Sequence, residues 1–248
     1  RIVDEEAVRR GLDGDLNDAD SSERFDFSPL TWIAGLGRLE ASAIIGALIL
    51  VVLFRLTSFS SVFQGDAVVL SSNDPYFYRY WLEHLLNDPE TTLTSLPSVV
   101  TNGEPLLLGV LWMVTVTLGG TVETAAMVLA WYPVVSALVT AGIVYGGALL
   151  ISDDRRVALA SVVMLAVLPG HAFRTSLGFA DHHAFDYPWV ALTFLGAVVI
   201  STWALSNESR GIEYVVGGVA AVAVGVSAQT LAWDTGRLLI VPLGAVIA

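Results

Sequence analysis

The chain has 248 residues, 54% of them hydrophobic and only 15% charged, with a formal net charge of −12 and a mean hydropathy of +0.67. That is too apolar for a soluble domain and fits an all-α, multi-spanning membrane protein. No cysteine is present, which excludes disulfides and thiolate metal sites, and the basic residues form no stripe that would hold a nucleic acid.

Taken in chain order, residues 1–30 come first. Their acidic stretch VDEEAVRRGLDGDLNDADSSERFD cannot bury a core and is expected to form a disordered cytoplasmic tail. Acid excess without lysine points to a halophilic source. The remainder, 31–248, reads as one transmembrane domain. About twenty apolar residues cross a bilayer as helix, and five segments meet or approach that length: 32–56, 123–151, 157–173, 184–205 and 212–233. A sixth begins near 238, and the chain ends inside an apolar run, so it is expected to be a piece of a longer protein. Residues 105–120 are apolar too, but short.

Positive charge on the cytoplasmic side sets the orientation. Arg9, Arg10, Arg24 and Arg38 precede the first span, Arg155 and Arg156 lie in a short loop, and Arg210 lies in another. With all of them cytoplasmic, 105–120 does not cross and belongs to one long external loop, 57–122. Residues 174–183 and 234–237 then face outward as well. Asn73-Asp74-Pro75 predicts a turn that opens a helix, with proline in its first turn. Residues 76–87 predict a short amphipathic helix whose Tyr76, Phe77, Tyr80 and Trp81 suit the membrane interface.

The external stretch RTSLGFADHHAFDYP concentrates ionisable residues at the end of an apolar segment, where such groups are costly and point to a functional site. In a turn or extended segment Asp181 and His183 point the same way, and a carboxylate with an imidazole suits Mg²⁺, Mn²⁺ or Zn²⁺. Two ligands hold an ion poorly. Asp74, on the same face, is the best third ligand, although capping the helix it precedes would equally explain it. His182 is expected to point off the metal toward an anionic ligand, aided by the N-terminus of the helix that begins near 184. Arg174 adds positive charge, or pairs with Asp181 or Asp66. Asp186 either holds His183 or satisfies the turn opened at Pro188. Glu83 and His84 read as a solvated face, His171 as interfacial, and Glu123 as a helix cap. Trp233 either faces the same cavity or anchors its helix in the headgroups.

Together these residues resemble a known family. SSNDPYFYRYW is similar to the first acidic motif of the oligosaccharyltransferase catalytic subunit, and RTSLGFADHH to its second, in the archaeal D-x-H form. LAWDTG resembles the tryptophan-containing turn at the external end of a later span. The resemblance covers residues 30–248. It implies a GT-C type glycosyltransferase transmembrane domain, truncated before the C-terminal soluble domain, in the cell membrane with its active site on the external face. The implied activity is transfer of an oligosaccharide from a dolichol phosphate or pyrophosphate carrier to asparagine in N-x-[ST] sequons of an acceptor protein or peptide. It also implies Mn²⁺ or Mg²⁺ held by Asp74, Asp181 and His183, with Asp74 and Asp181 catalytic and His182, Arg174 and Trp233 toward the lipid phosphate. The family further needs an external-loop glutamate and a sequon-reading domain that these residues lack, so the piece alone is expected to be inactive. The alternatives are another GT-C lipid-phosphate-sugar transferase, such as a protein O-mannosyltransferase, and a proton-coupled transporter. A transporter predicts acids near the middle of spans, whereas here they sit at span ends.

Overall fold

The structure, a computed structural model, describes residues 37–88, 90, 95, 103–205 and 212–239. The acidic segment 1–30 and the expected sixth span beyond 239 lie outside the described residues. Within the unit formed by residues 1–42, the described part is a helix start. There the Gly37 N–H donates to Glu40 Oε2 at 3.1 Å and the Ser42 hydroxyl to the Arg38 carbonyl at 2.8 Å.

Helix α1, Arg38–Arg55, continues through a 3-10 turn, Leu56–Ser58, into α2, Phe59–Val62. A two-residue hairpin follows, β1 Phe63–Gln64 with β2 Ala67–Val68, paired antiparallel. Then come α3 (Asp74–Asn87), α4 (Pro105–Thr117), α5 (Val122–Ser152), α6 (Arg155–Val167), α7 (Pro169–Arg174), α8 (His182–Leu205), α9 (Ile212–Ala232) and a 3-10 turn, Asp234–Leu239. Four segments are long and apolar enough to cross a membrane: Arg38–Val62, Val122–Ser152, His182–Leu205 and Ile212–Ala232. They match four of the five expected spans. Large apolar side chains such as Ile45, Leu53, Val135 and Phe194 lie exposed on them, as hydrocarbon contact requires.

Helix α4 is only 13 residues long. At 1.5 Å per residue that is about 20 Å, short of a hydrocarbon core of about 30 Å. Gly119 and Gly120, both at positive φ, end the segment and turn the chain into α5. Thr121 caps α5 by accepting from the Thr124 N–H at 3.1 Å. Glu123 is therefore not the cap but sits in the first turn, where its charge suits the helix dipole.

The expected continuous span 157–173 is broken. Leu168 is extended (ψ 111°) and Pro169 begins the separate helix α7, because proline disfavours helical backbone in the residue before it and offers no N–H. Leu165 and Ala166 consequently end α6 with carbonyls that α7 does not satisfy. The Arg55 guanidinium, fully buried, fills that role. Its Nη1 donates to the Ala166 carbonyl at 2.6 Å, Nη2 to the Leu165 carbonyl at 3.3 Å, and Nε to the Thr175 hydroxyl at 3.0 Å. A cation at a helix C-terminus also meets the negative end of the dipole.

Leu82, Leu85, Leu107, Leu111 and Leu129 form the core that joins α3 and α4 to α5. Helices α8 and α9 pack through small residues. A Cβ on Gly196 or Gly225 would run into the backbone of the facing helix, and such surfaces let helices approach closely in a membrane. Between them the Gln229 amide donates to the Thr193 hydroxyl at 2.8 Å.

Candidate active site

The segment from Thr175 to Asp181 joins α7 to α8 and is fixed by backbone bonds from three sides. Leu177 N–H donates to the Arg55 carbonyl at 2.9 Å, Gly178 N–H to the Ala130 carbonyl at 2.9 Å, and Ser71 N–H to the Gly178 carbonyl at 3.0 Å. Gly178 sits at φ +79° against Val62 and Ser71, where only glycine combines that backbone with that clearance. The Tyr132 hydroxyl donates to the Asp181 carbonyl at 2.7 Å, and the Ser136 hydroxyl to the Ala184 carbonyl. The start of α8 is thus tied to α5.

Asp181 is 1% exposed. Arg174 Nη1 reaches its Oδ2 at 2.9 Å and His182 Nδ1 its Oδ1 at 2.8 Å. Burial alone would raise the Asp181 carboxyl. The His182 imidazole against Oδ1, with the charges of His183 and Arg174, outweighs it and holds the group below the usual aspartate value.

Ligand atoms of Asp181, His182 and His183 all lie within 4.8 Å of one another. The expected direction of His182 is therefore corrected: it turns toward this cluster. The reason is local. Helix α8 begins at His182 rather than near 184, so 181–183 is not the extended segment in which alternate residues part. Asp74 lies outside the cluster but within electrostatic reach of His183. It is the first residue of α3, exposed, while the cap position belongs to Asn73, so capping does not account for it.

Sequence reasoning missed Glu104, which precedes Pro105 at the start of α4. Its Oε1 lies 3.2 Å from His182 Nδ1, so two carboxylates face one imidazole nitrogen. Tyr78, buried at 2% exposure, lies beside it; burial and the Glu104 carboxylate push the phenol well above its ordinary range. A glutamate between glycine and proline carried no motif that would have singled it out. Trp233 faces the site: its ring stacks on His182, centroids 4.4 Å apart at 15°, and meets His183 edge-on at 5.1 Å.

One expectation at the margin changes. His171 is buried, not interfacial; its Nδ1 accepts from Arg55 Nη2 at 2.6 Å and its ring lies 4.6 Å from Tyr187. Glu83 pairs with Arg79 at 2.7 Å. Asp186 is buried, and among the described residues neither of its oxygens has a hydrogen-bond partner. It lies four residues after His182, on the same face of α8.

The family model for the oligosaccharyl transferase STT3 N-terminal region matches residues 42–240. The dolichyl-phosphooligosaccharide-protein glycotransferase 3 of Archaeoglobus fulgidus is 27% identical over 218 residues, covering 79% of this chain and 24% of that protein. Among solved structures, the oligosaccharyltransferase AglB of A. fulgidus with an inhibitory peptide and a dolichol-phosphate superposes at a TM-score of 0.67 and 21% identity, over 82% of this chain and 24% of that one. The A. fulgidus enzyme in complex with Zn and sulfate gives 0.66 and 21%, over 79% and 26%. The fold is that of a multi-spanning, GT-C type transmembrane domain. The chain belongs to the oligosaccharyl transferase STT3 N-terminal family, and it spans about a quarter of the length of these relatives.

Proposed function

We propose that this chain supplies the membrane-embedded half of an active site that transfers an oligosaccharide from a dolichol phosphate or pyrophosphate carrier to asparagine in N-x-[ST] sequons, on the external face of the membrane. One observation carries the reading. A buried carboxylate and two imidazoles converge at Asp181, His182 and His183, with Arg174 bonded to the same carboxylate, inside the segment that the family model matches.

The donor set fits a divalent cation. It offers one buried carboxylate and two imidazole rings that bind once they give up their protons, a mixture that suits borderline ions such as Mn²⁺ or Zn²⁺ and also admits Mg²⁺ through oxygen. Asp181 and His183 would hold the ion, with Asp74 brought to it from the start of α3; His182 stands within the same cluster. When bound, such an ion neutralises the phosphate leaving group.

The chain's own residues do the rest. Arg174, only partly buried, both orients Asp181 and offers free guanidinium donors to phosphate oxygens. Asp74, exposed at a helix start, accepts from the N–H groups of the acceptor amide and orients it. Trp233 fixes the His182 ring by stacking. The test is glycan transfer to an N-x-T peptide by the full-length parent protein carrying Asp181→Ala or His183→Ala. Both variants are expected to express normally and lose transfer, and normal transfer by either would remove the assignment.

A further inference from the structure

Asp74 and Asp181 belong to different parts of the chain, and one hydrogen-bonded pair stands at the same interval before each. The Ser71 N–H donates to the Gly178 carbonyl at 3.0 Å. Ser71 precedes Asp74 by three residues, and Gly178 precedes Asp181 by three. We propose that Ser71 is a positioning residue: its junction with Gly178 registers Asp74 against Asp181 and His183, and the metal site is complete only while that junction is closed. The inference rests on the metal-dependent transfer reading above and adds how the external loop is held to the start of α8.

The junction is anchored on both sides. On the Gly178 side, the N–H groups of Leu177 and Gly178 donate to the carbonyls of Arg55 and Ala130, each at 2.9 Å, which ties the segment to α1 and α5. On the Ser71 side, the Val69 N–H donates to the Val62 carbonyl at 2.8 Å and the Leu70 N–H to the Tyr76 hydroxyl at 3.2 Å. Tyr76 lies in the first turn of α3, so the bend over 71–73 is closed back onto the helix that Asp74 begins.

Reach gives the junction its consequence. Three extended residues span at most about 11 Å, so a closed junction confines both carboxylates to a short radius around it. Leu82 and Leu85 pack α3 on α5, but they lie more than two turns beyond Asp74. Asp74 stands within electrostatic reach of His183, as a shared ion requires. The two faces are also in direct contact. A Cβ on Gly178 would come within 3.0 Å of Ser71 Oγ and would run into Val62, and surfaces packed that closely transmit a displacement rather than absorb it.

Metal binding tests this apart from catalysis. In the full-length protein, the Mn²⁺ Kd is measured by EPR detection of the free ion, and the unfolding midpoint is followed without metal. Ser71→Pro removes the N–H, whereas Ser71→Ala keeps it. A glycine inserted between Ser72 and Asn73 leaves the junction intact and moves Asp74 out of register, in a bend whose Ser71 and Asn73 are exposed and where an extra residue is tolerated. Ser71→Pro and the insertion are both expected to raise the Mn²⁺ Kd about tenfold or more, the scale for groups that orient metal ligands, and as far as Asp74→Ala does. Ser71→Ala should bind like the unsubstituted protein, and the insertion should leave the midpoint unchanged. In an Asp74→Ala background neither change should weaken binding further. If Ser71→Pro does not fold, the insertion decides. Unweakened Mn²⁺ binding by the insertion variant, a lowered midpoint for it, or a further loss on top of Asp74→Ala overturns the proposal and leaves the metal reading standing. An unsubstituted protein that binds no Mn²⁺, or an Asp74→Ala variant that binds it as tightly as the unsubstituted protein, sinks the metal assignment and the proposal with it.

Discussion

Replacing Arg55 by Met should destabilise the protein. The side chain is fully buried and makes hydrogen bonds to the carbonyls of Leu165 and Ala166, the hydroxyl of Thr175 and Nδ1 of His171. Met fills much the same space but donates nothing. The Thr175 hydroxyl keeps a bond, because it also donates to the His171 carbonyl at 2.6 Å. Two carbonyls and one imidazole nitrogen are left. The Leu165 carbonyl has no helical alternative, since the residue four positions on is Pro169. Orphaning a buried polar group costs about 1–3 kcal/mol, and three give about 3–9 kcal/mol, against a whole-protein stability of about 5–15 kcal/mol. Relaxation at the end of α6 favours the lower half of that range. At about 2–4 °C per kcal/mol for a domain of this size, the unfolding midpoint of this domain, followed within the full-length protein in detergent, should fall by at least about 6 °C. Arg55→Lys, which keeps the charge without the fork, should fall between. A midpoint for Arg55→Met within about 2 °C of the unsubstituted protein would refute the idea that this guanidinium closes the broken span.

Gly178→Ala forces a side chain into a left-handed position and against Val62; it should cost about 2–4 kcal/mol, seen as a lower thermal midpoint with reduced transfer. Gly225→Leu places bulk where a Cβ already meets Trp189 and Thr193, and should lower both the midpoint and the yield of folded protein by separating α8 from α9. The chain has no cysteine, so a Cys at position 154 can be labelled cleanly in intact cells. It should be protected from an impermeant reagent, and external labelling would overturn the proposed topology.

The spans were legible because hydrocarbon imposes a length and a composition that few other constraints mimic. The length of α4 was legible too: thirteen residues bounded by Pro105 and a Gly-Gly pair fall short of the length of a single spanning helix. What hydropathy could not register was the break at Leu168, since an apolar run reads alike whether or not Pro169 interrupts it. In the site, Asp181, His183, Arg174 and Trp233 stood out because charge or a large ring beside an apolar run needs a reason. Glu104 did not, because its meaning depends on α4 folding back to His182, some 80 residues on in the chain. The nearness of His182 to Asp181 was not legible because it depends on where α8 begins: at His182, two residues before the expected start, so that 181–183 is not an extended segment in which alternate residues part.

The central claim is that Asp181 and its neighbouring histidines hold a divalent ion that transfer requires. Its most direct test uses the full-length parent protein in membranes, stripped with a chelator and assayed for transfer from a lipid-linked oligosaccharide to a fluorescent N-x-T peptide, with Mn²⁺ or Mg²⁺ then restored. The account predicts loss of transfer on stripping, recovery on restoring metal, and no recovery in Asp181→Ala. Transfer that survives thorough chelation would contradict it and leave the convergence of Asp181, His182 and His183 without a role.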